Sequence, residues 1–481
     1  MAEHELVIRS GTVVDGTGND RFVGDVAVSG GIVTHVGEVD GRGSREIDAD
    51  GHLVTPGFVD IHTHYDGQAT WDTQLAPSSW HGVTTVVMGN CGVGFAPVAE
   101  HNRERLIQLM EGVEDIPGTA LHEGLAWDWA SFPDYLDALE RRPRDIDLAT
   151  QVPHGALRLH VMGERGATQQ PATPDDIAEM ARLAREAVEA GALGFSTSRT
   201  LNHRTSLGEP TPTLKAEADE LVGIAKALGA AGRGVLQVVS DFIDMDAELE
   251  LFRRMAEESG RPISVSIAQG PQRTSDWLAE LDYFERATAR GVTMRGQVGA
   301  RAVGLMLGLD ATLNPFMFSR PYLDIAALPL TERVAHMRNP EVRRAIIDGA
   351  AVSDTVLGSR AIHRFTHMFR LGDPPNYEPD PADSAAATAE REGREPIDVA
   401  YDWLLENDGR ALIYQPILNW AGQNLDVIGE MLRHPASVPG LSDGGAHVGT
   451  ICDVSFPTTL LQDRKSTRLN SSHTVISYAV F

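Results

Sequence analysis

From residue 56 to residue 298 the sequence alternates short apolar runs with longer amphipathic ones, and this alternation restricts the fold more than any other feature. The runs fall at 58–61, 84–88, 148–152, 193–196, 234–239, 263–267 and 292–298, with a further one at 438–442. Runs of this length without polar alternation read as buried strands. Between them lie helix patterns. Thr173-Pro174-Asp175-Asp176 is a strong helix start, with a capping threonine, proline at the first position and acids in the first turn. Ile177, Met180, Leu183, Ala184, Ala187 and Val188 then form one apolar face, and Gly191 closes the helix. Further helices are predicted near 217–228, 247–257 and 276–289. Repeated strand–helix units predict a parallel sheet covered by helices. Eight strands fit a (β/α)8 TIM barrel, with an open doubly wound sheet as the alternative.

Two regions fall outside the alternation. Residues 1–55 carry half-buried strand patterns at 5–14 and 25–36, with glycine turns at Gly16–Gly18 and Gly30-Gly31, and predict a small β layer. Between 301 and 434 the repeat lapses into turn-rich sequence, with helices predicted near 396–406 and 423–433, and reads as an insertion that walls or covers a pocket. Residues 464–481 contain no acid in a chain that has 68 and are expected to be a non-native tail.

Composition excludes several classes. A formal charge of −27 argues against nucleic acid and anionic membranes as partners, leaving a small-molecule substrate, with a homo-oligomer open. No apolar run approaches 18 residues, and the start lacks a charged-then-apolar leader pattern, so a cytoplasmic location is expected. Cys91 and Cys452 are the two cysteines of the chain, too few for a disulfide framework.

The chemistry gathers where barrels place it, at the C-terminal ends of the strands. The stretch P-G-F-V-D-I-H-T-H-Y-D at 56–66 ends its strand with His62 and His64, two apart and therefore on one side. Imidazole pairs suit a divalent transition metal. Cys91 ends the second strand, His154 the third, Ser196–Arg199 the fourth, and Asp443 the last, in L-S-D-G-G-A-H. His154 reads either as a hydrogen-bond partner for a substrate carbonyl or as a turn cap. Arg199, His203 and Arg204 are placed to clamp a substrate carboxylate or to lie in a solvated loop. His447 is a further candidate, whereas His52 reads as a turn residue and Cys452 as buried filler.

With these words in hand, P-G-F-V-D-I-H-T-H at 56–64, G-N-C-G at 89–92, G-A-L-G-F-S at 191–196 and S-D-G at 442–444, the sequence resembles the D-aminoacylase (N-acyl-D-amino-acid deacylase) branch of the amidohydrolase superfamily, over about residues 4–461. The resemblance implies a (β/α)8 barrel over 56–463 and a small β-sandwich made from both chain ends, with 1–55 as its N-terminal part and its C-terminal half apparently missing. It implies His62, His64, Cys91 and Asp443 as metal ligands, Asp443 as general base and then acid, and metal-bound hydroxide attacking an amide carbonyl. The expected activity is hydrolysis of a non-peptide C–N bond, by default that of an N-acyl-D-amino acid. Cyclic amides and lactones are alternatives, as is a lapsed barrel that only binds.

One departure stands out. Branch members carry histidines at the ends of strands five and six, whereas here those ends read Val239-Ser240-Asp241 and Ile267-Ala268-Gln269. One Zn2+ per chain is therefore expected. His363 and His367, four apart, are held in reserve as ligands sharing a helix face.

Overall fold

The computed structural model describes residues 2–350, 361–451 and 453–462. Cys452 and the 464–481 segment lie outside the described residues.

The N-terminal layer is a five-stranded sheet of β1 (His4–Val13), β2 (Phe22–Ser29), β3 (Ile32–Gly37), β4 (Gly43–Asp48) and the short β5 (Leu53–Val54). Its order is β3-β2-β1-β4, with β5 also on β1. Gly30 and Gly31, both with positive φ, make the β2–β3 hairpin possible. The layer is single among the described residues, and Val23, Ile32, Val33 and Leu53 remain exposed.

Eight parallel strands form the second sheet: β6 (Phe58–Asp60), β7 (Val83–Met88), β8 (Asp147–Pro153), β9 (Gly194–Arg199), β10 (Val235–Ser240), β11 (Ile263–Ser266), β12 (Met294–Val298) and β16 (Ser437–Pro439). They pair in sequence order, from β6 through β12 to β16. The sheet curls until its two ends meet. Thr63 and Gly444 form a parallel bridge, His64 N donates to Gly444 O at 2.7 Å, and Asp443 N donates to His62 O at 3.1 Å. Those bonds bring the first and last motifs of the sequence together.

The helices between the strands follow the predicted pattern. Thr173 caps helix Pro174–Ala190 through a capping box with Asp176, and Ala218–Ala231, Met245–Ser259 and Asp276–Ala289 complete the covering set. Their inner faces, including Met180, Leu221, Phe252 and Phe284, join the strand side chains in one core.

Two expectations need correction. The run 58–61 is not a wholly buried strand: β6 has three residues and Val59 is 42% exposed. Pleating explains this, because the inward face of period two is taken by Asp60 and then His62. The last strand is also shorter than 438–442. The 301–434 region has regular structure of its own. It forms a three-stranded sheet of β13 (Val303–Leu307), β14 (Phe369–Arg370) and β15 (Ile413–Leu418), with helices that include Pro396–Leu404 and Asp426–Arg433. Leu307, Phe316, Met337, Met368, Tyr401 and Ile413 give it a hydrophobic core of its own. Its non-local pairing, β13 to β15, carries no local sequence signal.

Among the described residues no helix is long and apolar enough to cross a membrane.

Candidate metal centre

The site lies where the sheet ends meet. His62 and His64 follow β6 and are each 1% exposed, and their rings stand edge to face at 5.3 Å. His62 Nδ1 donates to Gln297 Oε1 at 2.7 Å, which leaves Nε2 with its lone pair towards Cys91 Sγ, 3.3 Å away. Burial lowers the pKa of both imidazoles, so both are neutral near pH 7 and able to act as donors.

Cys91 reaches this point on a strained turn. After β7, Gly89 takes φ +75°, and a Cβ there would lie 2.3 Å from Gln151 O, so the G-N-C-G word needs glycine at its first position. Cys91 itself has φ +54°, as Asp443 has +52° and His447 +53°. Left-handed backbone at non-glycine residues is costly and concentrates at functional sites. Gln237 Oε1 on β10 holds the Cys91 N–H at 3.0 Å. Burial, reinforced by Glu114, Asp443 and Asp66, pushes the Cys91 thiol well above its ordinary range.

Asp443 closes the constellation. Its Oδ1 lies 3.5 Å from His62 Nε2 and 3.7 Å from His64 Nε2, and its side chain keeps 22% exposure, enough to face a cleft. Burial raises its carboxyl, but the facing imidazoles of His64, His62 and His447 outweigh that and hold it well below the usual carboxylate range. Behind it, Ser442 Oγ donates to the wholly buried Asp60, whose carboxyl burial pushes up to about 7. The cleft, of about 300 Å³, is lined by Gln68, Pro77, Asp443, His447, Val448 and Asp453, among others.

The donor set fits a divalent ion. Ligand atoms of His62, His64 and Cys91 all lie within 4.8 Å of one another. Two neutral imidazoles and a sulfur suit zinc, and a cation there would relieve the unfavourable burial of a thiolate.

Two of the other candidates come close to this centre. His447 Nε2 is 4.0 Å from Asp443 Oδ2. His203 accepts from or donates to Ser198 Oγ at 2.9 Å, and burial together with nearby His64 and His447 pulls it down to about 3.

The rest are engaged elsewhere. His154 is fully buried, with Nδ1 on Thr197 Oγ1 and Nε2 on Glu220 Oε1, both at 2.8 Å, so neither ring nitrogen is open to a substrate. Arg199 is held by Glu248 through Nε and Nη2 and by Ala216 O through Nη1. Arg204 Nη1 donates to Gly208 O within its own loop. The expected guanidinium clamp therefore has no free fork at Arg199. His363 and His367 fall in two separate 3-10 turns, Ala361–His363 and Phe365–His367, and share no α-helical face.

The ends of strands five and six carry structural duties. Asp241 accepts from Thr200 Oγ1 at 2.6 Å and Leu201 N at 2.7 Å, and Gln269 N donates to Asn419 Oδ1 at 2.6 Å. Sequence reading missed Gln297 and Glu114. Gln297 had no signal beyond a polar residue in an apolar strand. Glu114 did have one, because it continues the i, i+4 stripe of Leu106 and Met110 along helix α1 (Arg103–Glu114).

This curled parallel sheet carries an H-x-H pair and a cysteine at its strand ends, a donor set that fits a divalent ion. The chain belongs to the amidohydrolase family, whose sequence profile matches residues 45–477. Within the family it falls in the D-aminoacylase branch. It is 33% identical to D-aminoacylase of Alcaligenes xylosoxydans xylosoxydans over 229 residues, 47% of this chain and 43% of that protein. To N-acyl-D-glutamate deacylase of the same organism it is 35% identical over 237 residues, 48% and 42% of the two chains. The matched segment thus spans less than half the length of these relatives. The solved N-acyl-D-glutamate deacylase of Bordetella bronchiseptica shares the fold, with a TM-score of 0.57 over 92% of this chain and 76% of that one, at 22% identity.

Proposed function

We propose that this protein is a metal-dependent hydrolase of a non-peptide amide bond, cleaving N-acyl-D-amino acids, and that it binds one divalent ion, zinc, per chain. The observation that carries this is the convergence of two imidazoles, a thiol and the Asp443 carboxylate from three distant parts of the sequence. The substrate class rests on the relatives, which are named as deacylases of D-amino acids, one of them complexed with zinc and a phosphonate mimic of the tetrahedral intermediate. The architecture follows in the same reading: a (β/α)8 barrel over 56–463 closed at Thr63–Gly444, a β domain at 1–55, and an insertion at 301–434.

His62, His64 and Cys91 would hold the ion, with Asp443 at its open side. A divalent cation there supplies Lewis acidity towards a carbonyl and acidifies water towards a pKa of ~7. Asp443, kept ionised by its histidines, takes the proton of the attacking water. The water oxygen bonds to the carbonyl carbon as the C=O π pair moves onto its oxygen; that pair returns as the C–N bond breaks, and Asp443 gives the proton to the departing amine. Gln297 keeps His62 Nε2 free of a proton, and the cleft beside Asp443 receives the acyl compound.

Asp443→Asn tests this. Turnover of an N-acyl-D-amino acid panel should fall by about 10²–10⁴-fold with the melting temperature unchanged. Unchanged turnover would remove Asp443 as the base.

A further inference from the structure

Glu114 has no part in the chemistry above, yet its carboxylate sits between two histidines of the site. It is 1% exposed at the end of helix α1. Oε1 lies 3.3 Å from His64 Nδ1, and Oε2 lies 3.5 Å from His447 Nε2. His64 Nδ1 and Glu114 Oε1 are both buried with no aligned hydrogen-bond partner among the described residues, so two unsatisfied complementary atoms face each other. Unpaired buried polar atoms are costly, and a small ring rotation would pair these two.

The backbone around Glu114 reinforces the link. His447 N donates to Glu114 O at 2.5 Å. The next residue, Asp115, accepts from Gly449 N at 3.1 Å and from Thr312 Oγ1 at 3.0 Å. The end of helix α1 therefore seats the loop that carries Asp443 and His447.

We propose that Glu114 is a positioning residue: it accepts the Nδ1–H of His64, fixing the tautomer whose free Nε2 faces Asp443, and ties His64 to His447. An imidazole can donate a lone pair only from its unprotonated nitrogen, and the partner of the other nitrogen decides which one that is. The two site histidines are then oriented by different groups, His62 by the amide of Gln297 and His64 by the carboxyl of Glu114.

This inference rests on the metal reading above, and two measurements on the full chain separate them. The first is zinc affinity by competition with a chromophoric chelator, for wild type, Glu114→Gln and Glu114→Ala, with melting temperatures recorded. Both variants should bind zinc about 10–100-fold more weakly, and equal affinity in a folded Glu114→Gln protein would overturn the proposal. The second needs no folded variant. Long-range 15N–1H spectra of histidine-labelled, zinc-free wild type, with His64→Gln for assignment, should show the His64 proton on Nδ1. A proton on Nε2 would overturn the proposal. If wild type binds no zinc the metal reading fails, while the His64 tautomer still decides the role of Glu114.

Discussion

The Nε2 of His62 lies 3.3 Å from the Sγ of Cys91, although the two residues follow successive strands, β6 and β7. That separation lets a protonated Cys91 thiol donate to the imidazole lone pair, and the same placement suits two ligands around one small ion.

The metal requirement is directly measurable. Elemental analysis of protein purified with zinc supplied and without chelator should give close to one ion per chain. The His62→Ala/His64→Ala double variant should retain none. Cys91→Ser should lose more affinity than the ~10–100-fold typical of outer partners. Two ions per chain would show that ligands beyond this set exist.

Gln297 should matter although it touches no substrate. Gln297→Leu removes the acceptor for His62 Nδ1–H in a buried place. Zinc affinity should drop by about 10-fold or more, with kcat at saturating zinc changed less than the affinity. An unchanged zinc titration would count against the tautomer assigned to His62.

His154 should be a residue of stability. Glu220 bonds both His154 and the buried Arg158, so Glu220→Ala strands a guanidinium in the core. A loss of about 3–5 kcal/mol in urea unfolding is expected, and His154→Ala should likewise act on stability. A His154→Ala protein that is fully stable but raised only in KM would return His154 to the substrate site.

Acid should weaken the Thr173 helix cap. The hydrogen bonds from Arg165, and then those within the Thr173 capping box, hold Asp176 down to about 2. The folded pKa is thus below the unfolded one, so the stabilisation is fully present above pH ~4 and is lost as pH falls towards 2. Because Arg165 is 41% exposed, solvent screening reduces the contribution to about 1 kcal/mol. Asp176→Asn should therefore be less stable than wild type at pH 6 and equal to it near pH 2. A gap that persists at pH 2 would point to packing in place of charge.

Local pattern carried most of the sheet. Strand and helix periods over 56–298 are properties of neighbouring residues, and so are the Thr173 cap and the glycine of G-N-C-G. The words H-T-H, N-C-G and S-D-G also named four groups that the fold assembles, because strand ends of such a sheet converge by construction. What residue spacing could not decide was which polar groups would be used up by one another. His154 and Arg199 look like site residues in the sequence, and Glu220 and Glu248, far along the chain, occupy both. Glu114 falls on the apolar stripe of its helix, but only the sheet shows that His64 and His447 lie against it. The self-cored 301–434 unit likewise depends on β13 meeting β15 across more than a hundred residues. Sequence determined the strands, the helices and the identity of the donors, through short-range period and stereochemistry. Tertiary structure alone decided the pairing of buried charges and hydrogen bonds, because that depends on distances in space which no local pattern encodes.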